Sequence, residues 1–332
     1  MLGATCLISL VAQPAGKLAR SIVCVYHNWT YSLDGSLRTV AFRNGVNGQG
    51  GMPAGFDPAG HGPRKLRVEV LMGLVFGTLS DSMPPLADWI GPEVLARMRR
   101  VLRAPPVILG TYTQVLRNNW KLYVENVKDS YHASLLHVFF TTFRITRLTQ
   151  GGGIVVDDSG GHHASFTLND TGRPDAEYAN AALRSNREGD FGLRDPSLLE
   201  VRDETDDGCH IQILSVFPSF VLQAHMNSIA IRHVVPVSPA ETHLHWTFIG
   251  FDDDDAALRK LRMRHANLVG PAGFVSMEDG AAGAFVQRGT AACEDETAIV
   301  EMGGSSTASS TTRATEASVR GFWKAYRHHM GL

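Results

Sequence analysis

The strongest constraint on the fold is a succession of four strand-like segments, at residues 210–216, 219–225, 229–237 and 242–251. These segments are rich in β-branched and aromatic residues and are separated by short turns, a pattern typical of an antiparallel sheet. The acidic residues 252–255 then precede a basic, helix-like segment at 256–268, and acids at a helix N-terminus are stabilising. We therefore predict an α+β domain built on an antiparallel sheet.

Composition excludes several function classes. The chain has 332 residues, enough for two domains, and its net charge of −2 provides no basic face for nucleic acid. The mildly apolar residues 1–12 are too few to span a membrane, so we expect a cytoplasmic protein without a membrane partner. Four cysteines without regular spacing argue against a disulfide scaffold. The glycine-rich residues 44–63 lack the G-x-G-x-x-G pattern of a dinucleotide site.

Potential metal ligands are concentrated in residues 119–137, where Glu125, Asp129, His132 and His137 lie within thirteen residues. Two histidines and one carboxylate form the facial triad that holds non-haem Fe(II). At about 100° per helical residue, Asp129 and His132 are roughly 60° apart and share a face, whereas His132 and His137 are roughly 140° apart. The two histidines can share a metal only if the helix ends or distorts near His137, and the third ligand must come from elsewhere.

Histidine pairs have other interpretations. Two histidines five apart in a half-apolar stretch are more often surface residues or hydrogen-bonded core residues than ligands, and a zinc-protease site needs a spacing of four. His162 and His163 follow a Ser-Gly-Gly turn, and we expect them to line a pocket. His243 and His245 alternate along a strand, and we expect them to form a polar strand face rather than a metal site.

A Cys-x-x-His motif lies upstream, at Cys24 and His27. In a Rieske [2Fe–2S] cluster two cysteines hold one iron and two histidines hold the other, so this motif is half of a ligand set. Alone it is a weak signal, because the same spacing occurs in zinc sites. The following Asp34 and Gly35 predict a tight hairpin turn in a small β-domain.

Three motifs together resemble the large (alpha) subunit of the Rieske non-haem iron aromatic-ring-hydroxylating dioxygenases. They are CVYHNWTY at 24–31, NWKLYVENVKDSYHASLLH at 119–137 and GPAGFVSMEDG at 270–280. The resemblance runs from about residue 21 to the C-terminus and is greatest with the branch acting on anthranilate, salicylate and terephthalate. It implies a truncated, partial Rieske-like β-domain at residues 1–80 and a helix-grip (START/Bet v1-like) catalytic mononuclear iron domain at residues 81–332.

The resemblance also implies an iron ligand set. His132 and His137 match the two histidine ligands of the mononuclear iron, and Asp279 matches the carboxylate ligand, with the adjacent Glu278 as its rival. Asn126 matches an asparagine close to the iron that usually does not bind it. We therefore expect the metal at His132, His137 and Asp279, and we count Asn126 as a candidate catalytic residue.

Further matches concern the Rieske cluster. Asp129, a second candidate catalytic residue, matches the aspartate that links the mononuclear iron to a Rieske histidine of a neighbouring subunit, and His27 matches that histidine. Cys24 and His27 are the expected cluster ligands. Cys6 stands at about the expected distance upstream, but Ile8 takes the place of the first histidine. We expect an incomplete cluster, through a late start codon or frame change in the gene, or alternatively through decay of the site.

The function implied by the resemblance is O₂-dependent hydroxylation of an aromatic carboxylate in aromatic compound catabolism, as by an anthranilate 1,2-dioxygenase. The expected cofactors are mononuclear Fe(II) and the Rieske cluster, with electrons from NAD(P)H through a reductase or ferredoxin. The expected partners are the substrate and O₂, a small (beta) subunit, and further copies in an alpha3 or alpha3beta3 oligomer. Two alternatives are a salicylate 5-hydroxylase-like monohydroxylase and a truncated, non-catalytic remnant that binds an aromatic acid.

Overall fold

The chain divides into two compact units, one of residues 1–70 and 75–83 and the other of residues 71–74 and 84–332. The computed structural model describes residues 20–169, 177–178, 192–293 and 295–332. The sequence placed the domain boundary at residue 80. The assignment of the first unit as a partial Rieske domain stays a prediction.

The first unit contains a three-stranded antiparallel sheet of β1 (Ile22–Val23), β2 (Thr30–Tyr31) and β3 (Leu37–Thr39). A small core of Cys24, Tyr31 and Leu37 lies beside this sheet. The expected turn at Asp34 and Gly35 joins β2 to β3, and Gly35 has a φ of 85°, which glycine adopts without strain. A short 3₁₀ helix covers Pro58–His61, and β4 (Arg67–Leu71) pairs with β5 (Leu74–Thr78).

The second unit is built on a seven-stranded antiparallel sheet with the order β6-β12-β11-β10-β9-β8-β7. Its strands are β6 (Val107–Leu116), β7 (Gly152–Val156), β8 (His163–Leu168), β9 (Cys209–Val216), β10 (Phe220–His225), β11 (Ser228–Ser238) and β12 (Glu241–Gly250). The four strand-like segments of the sequence are β9 to β12, each paired with the next. The predicted α+β class with an antiparallel sheet is confirmed.

Helices pack against this sheet, and side chains cap several of them. They are α1 (Leu86–Ile90), α2 (Pro92–Val101), α3 (Trp120–Lys128), α4 (Ala133–Leu136), α5 (Val138–Thr142), α6 (Ala256–Val269), α7 (Phe274–Thr290) and α8 (Ala317–Met330). The side chain of Asn119 accepts a hydrogen bond from the Lys121 amide at the start of α3, and that of Asp255 accepts one from Leu258 at the start of α6. Across the described residues, every helix is too short or too polar to cross a lipid bilayer.

The main core lies between the sheet and helices α3 and α8. It contains Trp246 and Phe248 of β12, Tyr123 of α3 and Phe322 of α8, all at most 4% exposed. Burying a large apolar side chain contributes about 1.5–3 kcal/mol. This packing fixes α3, which leads into the histidine motif, against the sheet.

Three local predictions are wrong. The motif does not form one helix up to His137, because α3 already ends at Lys128 and the chain restarts as α4. The apolar, β-branched residues 139–148 predict a strand, but Val138–Thr142 is helical and Phe139 packs on Phe143 one turn later. The Ser/Thr/Gly-rich residues 303–312 predict a flexible link, yet the backbone of Ser310 pairs with that of Ile154 beside β7.

Candidate metal centre

Two breaks in the backbone set the positions of the motif histidines. Asp129 follows α3 with extended φ and ψ values of −83° and 98°, and its Oδ1 accepts hydrogen bonds from the amides of Tyr131 (2.8 Å) and His132 (3.2 Å). His137 separates α4 from α5 with φ −82° and ψ 85°. The break expected near His137 is therefore present, and it brings the rings of His132 and His137 to a centroid distance of 5.4 Å.

A carboxylate from a distant helix completes the cluster. Asp279 of α7 places its Oδ1 3.4 Å from His132 Nε2 and 3.4 Å from His137 Nε2. One ligand atom from each of the three residues lies within 4.8 Å of the other two, and within the described ranges no other set of three His, Cys, Asp or Glu meets that spacing. Two imidazoles and one carboxylate are the donor set of a facial-triad Fe(II) site.

Carboxylates also contact the opposite edge of each imidazole. Glu278 Oε2 lies 2.8 Å from His137 Nδ1, and Asp129 Oδ2 lies 3.4 Å from His132 Nδ1. Such contacts to the second nitrogen orient metal-binding histidines and fix their tautomer. The two neighbouring acids thus have separate places, with Asp279 inside the cluster and Glu278 behind His137.

Asn126 of α3 contacts the cluster from one side. Its Nδ2 donates a hydrogen bond to Asp279 Oδ1 at 3.0 Å and lies 3.3 Å from His132 Nε2. The amide therefore holds the Asp279 carboxylate against His132.

The electrostatics of the cluster favour a cation. Burial opposes the charged form of His132, but hydrogen bonds and charge from Asp129 and Asp279 outweigh burial and raise the pKa of His132 to about 10. Burial likewise opposes the Asp279 carboxylate, but His132 and His137 lower the pKa of Asp279 to about 2. Carboxylates that stabilise positive charge on His132 also stabilise a divalent metal ion beside it. The two imidazoles and the Asp279 carboxylate therefore fit the iron that this set of ligands implies.

A cavity adjoins the cluster and lies between the motif helices and the sheet. His132, His137 and Asp279 line one side of it, and β10, β11 and β12 line another. Its lining includes Gln223, His225, Arg232, Trp246 and Arg313. A cavity beside a cluster of potential metal-binding side chains is the arrangement of an enzyme active site.

Comparison with known proteins identifies the family. The model of the family described as "Ring hydroxylating alpha subunit (catalytic domain)" matches residues 101–332. The chain is also 56% identical over 97% of its length to the terephthalate 1,2-dioxygenase terminal oxygenase component subunit alpha 2 of a Comamonas species, of which it covers 78%. This chain belongs to the ring-hydroxylating oxygenase alpha-subunit family.

Further relatives agree with this assignment. The oxygenase subunit is 43% identical over 94% of its length to the anthranilate 1,2-dioxygenase large subunit of Burkholderia cepacia and covers 74% of it. Its fold resembles that of the naphthalene 1,2-dioxygenase of a Rhodococcus species bound to indole, with a TM-score of 0.73 at 19% identity, covering 94% of this chain and 76% of that one. The prediction of an aromatic-ring-hydroxylating dioxygenase large subunit is confirmed. The anthranilate-type substrate stays a prediction.

Family membership implies a mononuclear iron site in this oxygenase and a Rieske cluster that works with it. The two residues expected to bind such a cluster and described by the structure are the buried Cys24 and the exposed His27. A Rieske cluster needs two of each, so these two residues alone do not fit it. Cys6 and Ile8 lie outside the described residues. The cluster-binding roles of Cys24 and His27 and the bridging role of Asp129 stay predictions.

Other histidines of the oxygenase have ordinary partners. His162 and His163 do not line the cavity, contrary to expectation; both are fully buried at the start of β8. There His162 Nδ1 accepts from the Phe217 amide at 3.0 Å, and His163 Nδ1 lies 2.7 Å from Ser215 Oγ. On the sheet surface, His243 contacts Glu241, and His245 contacts a threonine of β6, as expected of a polar strand face.

Sequence reasoning missed the polar residues that line the cavity of this oxygenase. Arg232 gave a usable signal, because a charge in phase with the buried Ala230 and Val234 is unusual on a core-facing strand. Gln223 and His225 alternate in the same way along β10. Arg313 follows a Ser/Thr-rich segment without periodicity and gave no signal.

Proposed function

We propose that this oxygenase subunit hydroxylates an aromatic dicarboxylate of the terephthalate type. The supporting observation is a pair of buried arginines, Arg232 and Arg313, that line the cavity beside the metal cluster. Within the described residues, no carboxylate lies within ion-pair distance of either guanidinium. A buried charge without a partner is costly, so an anionic ligand would compensate both.

Arg232 lies on β11 and is 5% exposed. Its Nη1 donates to the hydroxyl of Tyr123 at 2.7 Å, and its guanidinium lies 5.0 Å from the centre of the Trp246 ring. Its Nε and Nη2 are buried without a hydrogen-bond partner. Two free N–H groups on one planar guanidinium are suited to a carboxylate.

Arg313 follows the segment that pairs with β7 and is 4% exposed. Its Nη1 donates to Thr146 Oγ1 at 2.9 Å, its Nη2 donates to the carbonyl of Arg147, and its Nε is buried without a partner. Burial lowers the pKa of Arg313 to about 10, which reflects how poorly its surroundings compensate the charge. A carboxylate at this position would stabilise the guanidinium.

The two arginines approach the cavity from well-separated parts of the sheet. Arg232 is on β11, whereas Arg313 lies beside β7, four strands away. Two long side chains that line one cavity from such positions suit a ligand with acids at opposite ends of a ring. The terephthalate dioxygenase relative supports the same substrate class.

In this proposal His132, His137 and Asp279 hold the iron, which when bound supplies the O₂ chemistry of ring hydroxylation. Asn126 keeps the Asp279 carboxylate in place, and Glu278 and Asp129 orient the two imidazoles. Arg232 and Arg313 bind the substrate acids, so the ring lies beside the cluster. The apolar faces around Trp246 and Phe140 exclude water from it.

Calorimetric titration of the Fe(II)-loaded chain with terephthalate, benzoate and anthranilate tests the proposal. We expect terephthalate to bind most tightly. Arg232→Met and Arg313→Met should each weaken terephthalate binding by about 10- to 100-fold, the effect of losing a hydrogen bond to a charged group. In each variant, the preference for terephthalate over benzoate should shrink, because only one carboxylate keeps its arginine.

Arg320→Met is the matched control. Arg320 donates only to backbone carbonyls outside the cavity, so this variant should bind terephthalate like the unmodified chain. Tighter binding of anthranilate than of terephthalate would contradict the dicarboxylate assignment and favour the anthranilate-type substrate.

A further inference from the structure

His225 lies on the floor of the cavity and has one unused nitrogen. The residue is 5% exposed, and its ring packs edge-on against Phe140 with centroids 5.6 Å apart. Its Nδ1 lies 2.7 Å from Gln223 Nε2. In the described part of the chain its Nε2 has no hydrogen-bond partner.

Gln223 determines which nitrogen of His225 carries the proton. An amide nitrogen can only donate, so His225 Nδ1 must be the acceptor of this hydrogen bond. A neutral imidazole with an accepting Nδ1 carries its proton on Nε2. Gln223 is itself 2% exposed and lines the same cavity, two residues from His225 on the same face of β10.

The surroundings keep His225 neutral. Burial is the main cause, and the positive charge of Arg232 and the neighbouring His137 and His210 act in the same direction, so the pKa of His225 falls to about 3. His225 therefore offers the cavity a single N–H donor without a charge. A donor without a protein partner in the lining of a cavity is available to a ligand that accepts from it.

We propose that His225 is a substrate-binding residue whose Nε2–H donates a hydrogen bond to a carboxylate oxygen of the bound aromatic acid. This inference rests on the proposed function, because it needs a carboxylate-bearing ligand in the cavity. Gln223 acts as a positioning residue, since it contacts His225 and fixes the donor on the correct nitrogen. The two residues add a short-range, directional contact to the charge that the arginines supply.

Binding of terephthalate to the Fe(II)-loaded full chain, measured by calorimetry, tests the inference. His225→Phe keeps the ring shape and removes the donor, and we expect its affinity to fall about tenfold or more. His225→Gln places an amide N–H near the position of Nε2 and should restore most of the affinity. Gln223→Leu keeps the imidazole but frees its tautomer, and should lose less affinity than His225→Phe.

Unchanged terephthalate affinity in both His225→Phe and Gln223→Leu would overturn the inference. Equal weakening in His225→Phe and His225→Gln would also overturn it, because His225 would then matter only for cavity shape. If the unmodified chain binds benzoate or anthranilate instead of terephthalate, the dicarboxylate proposal fails. The same variants then test His225 with that monocarboxylate.

Discussion

Lys128 makes the stability of this protein depend on pH in a predictable direction. The residue is the last of α3, is 1% exposed, and donates one hydrogen bond from Nζ to the carbonyl of Gly161 at 2.9 Å. Burial lowers the pKa of Lys128 from 10.5 to about 7, although the charge of Asp157 opposes this effect. The other titratable groups facing it are His162 and His163.

The direction of the pH dependence of stability follows from the protons that Lys128 binds in the folded and unfolded states. Between pH 7 and 10.5 the unfolded chain holds a proton on Lys128 that the folded chain has lost, so the free energy of unfolding rises with pH in this window. Below pH 7 the full penalty for the buried charge is present, and a pKa lowered to this extent corresponds to roughly 3–6 kcal/mol. Both histidines stay neutral across the window, because the pKa of His162 is about 4 and that of His163 is well below its usual value.

Replacement of Lys128 by methionine removes the charge and keeps most of the volume. The lost hydrogen bond costs about 1 kcal/mol, so Lys128→Met should be more stable than the unmodified chain by about 2–5 kcal/mol at pH 6. The difference should fall towards zero by about pH 9.5. Urea unfolding of both proteins at several pH values measures it, and other titrating groups cancel in the comparison.

Lys324→Met serves as the control for this experiment. Lys324 is exposed on α8 and also donates to a backbone carbonyl of the same loop, that of Asp158 at 2.9 Å. Its replacement should change stability by a small amount that does not vary with pH. If the stability difference for Lys128→Met is equally constant from pH 6 to 9.5, the reasoning about the buried lysine is refuted.

Two further predictions concern the metal centre. We expect Fe(II) to be lost, measured as iron per chain after dialysis, in each of His132→Ala, His137→Ala and Asp279→Ala. Glu278→Gln should retain iron with about 10- to 100-fold weaker affinity. Iron content unaffected by all three alanine variants would rule out the ligand assignment. Asp129→Asn should keep most of its iron because Asp129 contacts the imidazole of His132 at Nδ1, away from the cluster, but it should abolish hydroxylation in a chain fitted with a complete Rieske domain. Full hydroxylation by that variant would exclude the bridging role.

Local patterns in the sequence predicted several of the strands and helices around the site. Strand-like segments separated by short turns predicted β9 to β12, and the acids before α6 predicted its start, because both signals act between near neighbours in the chain. The angular mismatch between His132 and His137 predicted a break near His137. It did not predict the earlier break at Asp129, where a side chain binds the amides of the next turn.

Long-range contacts were decided only by the tertiary structure. In the sequence Glu278 and Asp279 were alternative candidates for the carboxylate ligand. The packing of α7 against α3 places Asp279 in the cluster, whereas Glu278 contacts Nδ1 of His137. Arg232 and Arg313 are far apart in the chain and line one cavity because β11 and the segment that follows the Ser310 bridge to β7 both border it. The sequence determined which types of binding side chain were present. Their assembly into one site depended on contacts between residues that are distant in the chain, and no local spacing predicts such contacts.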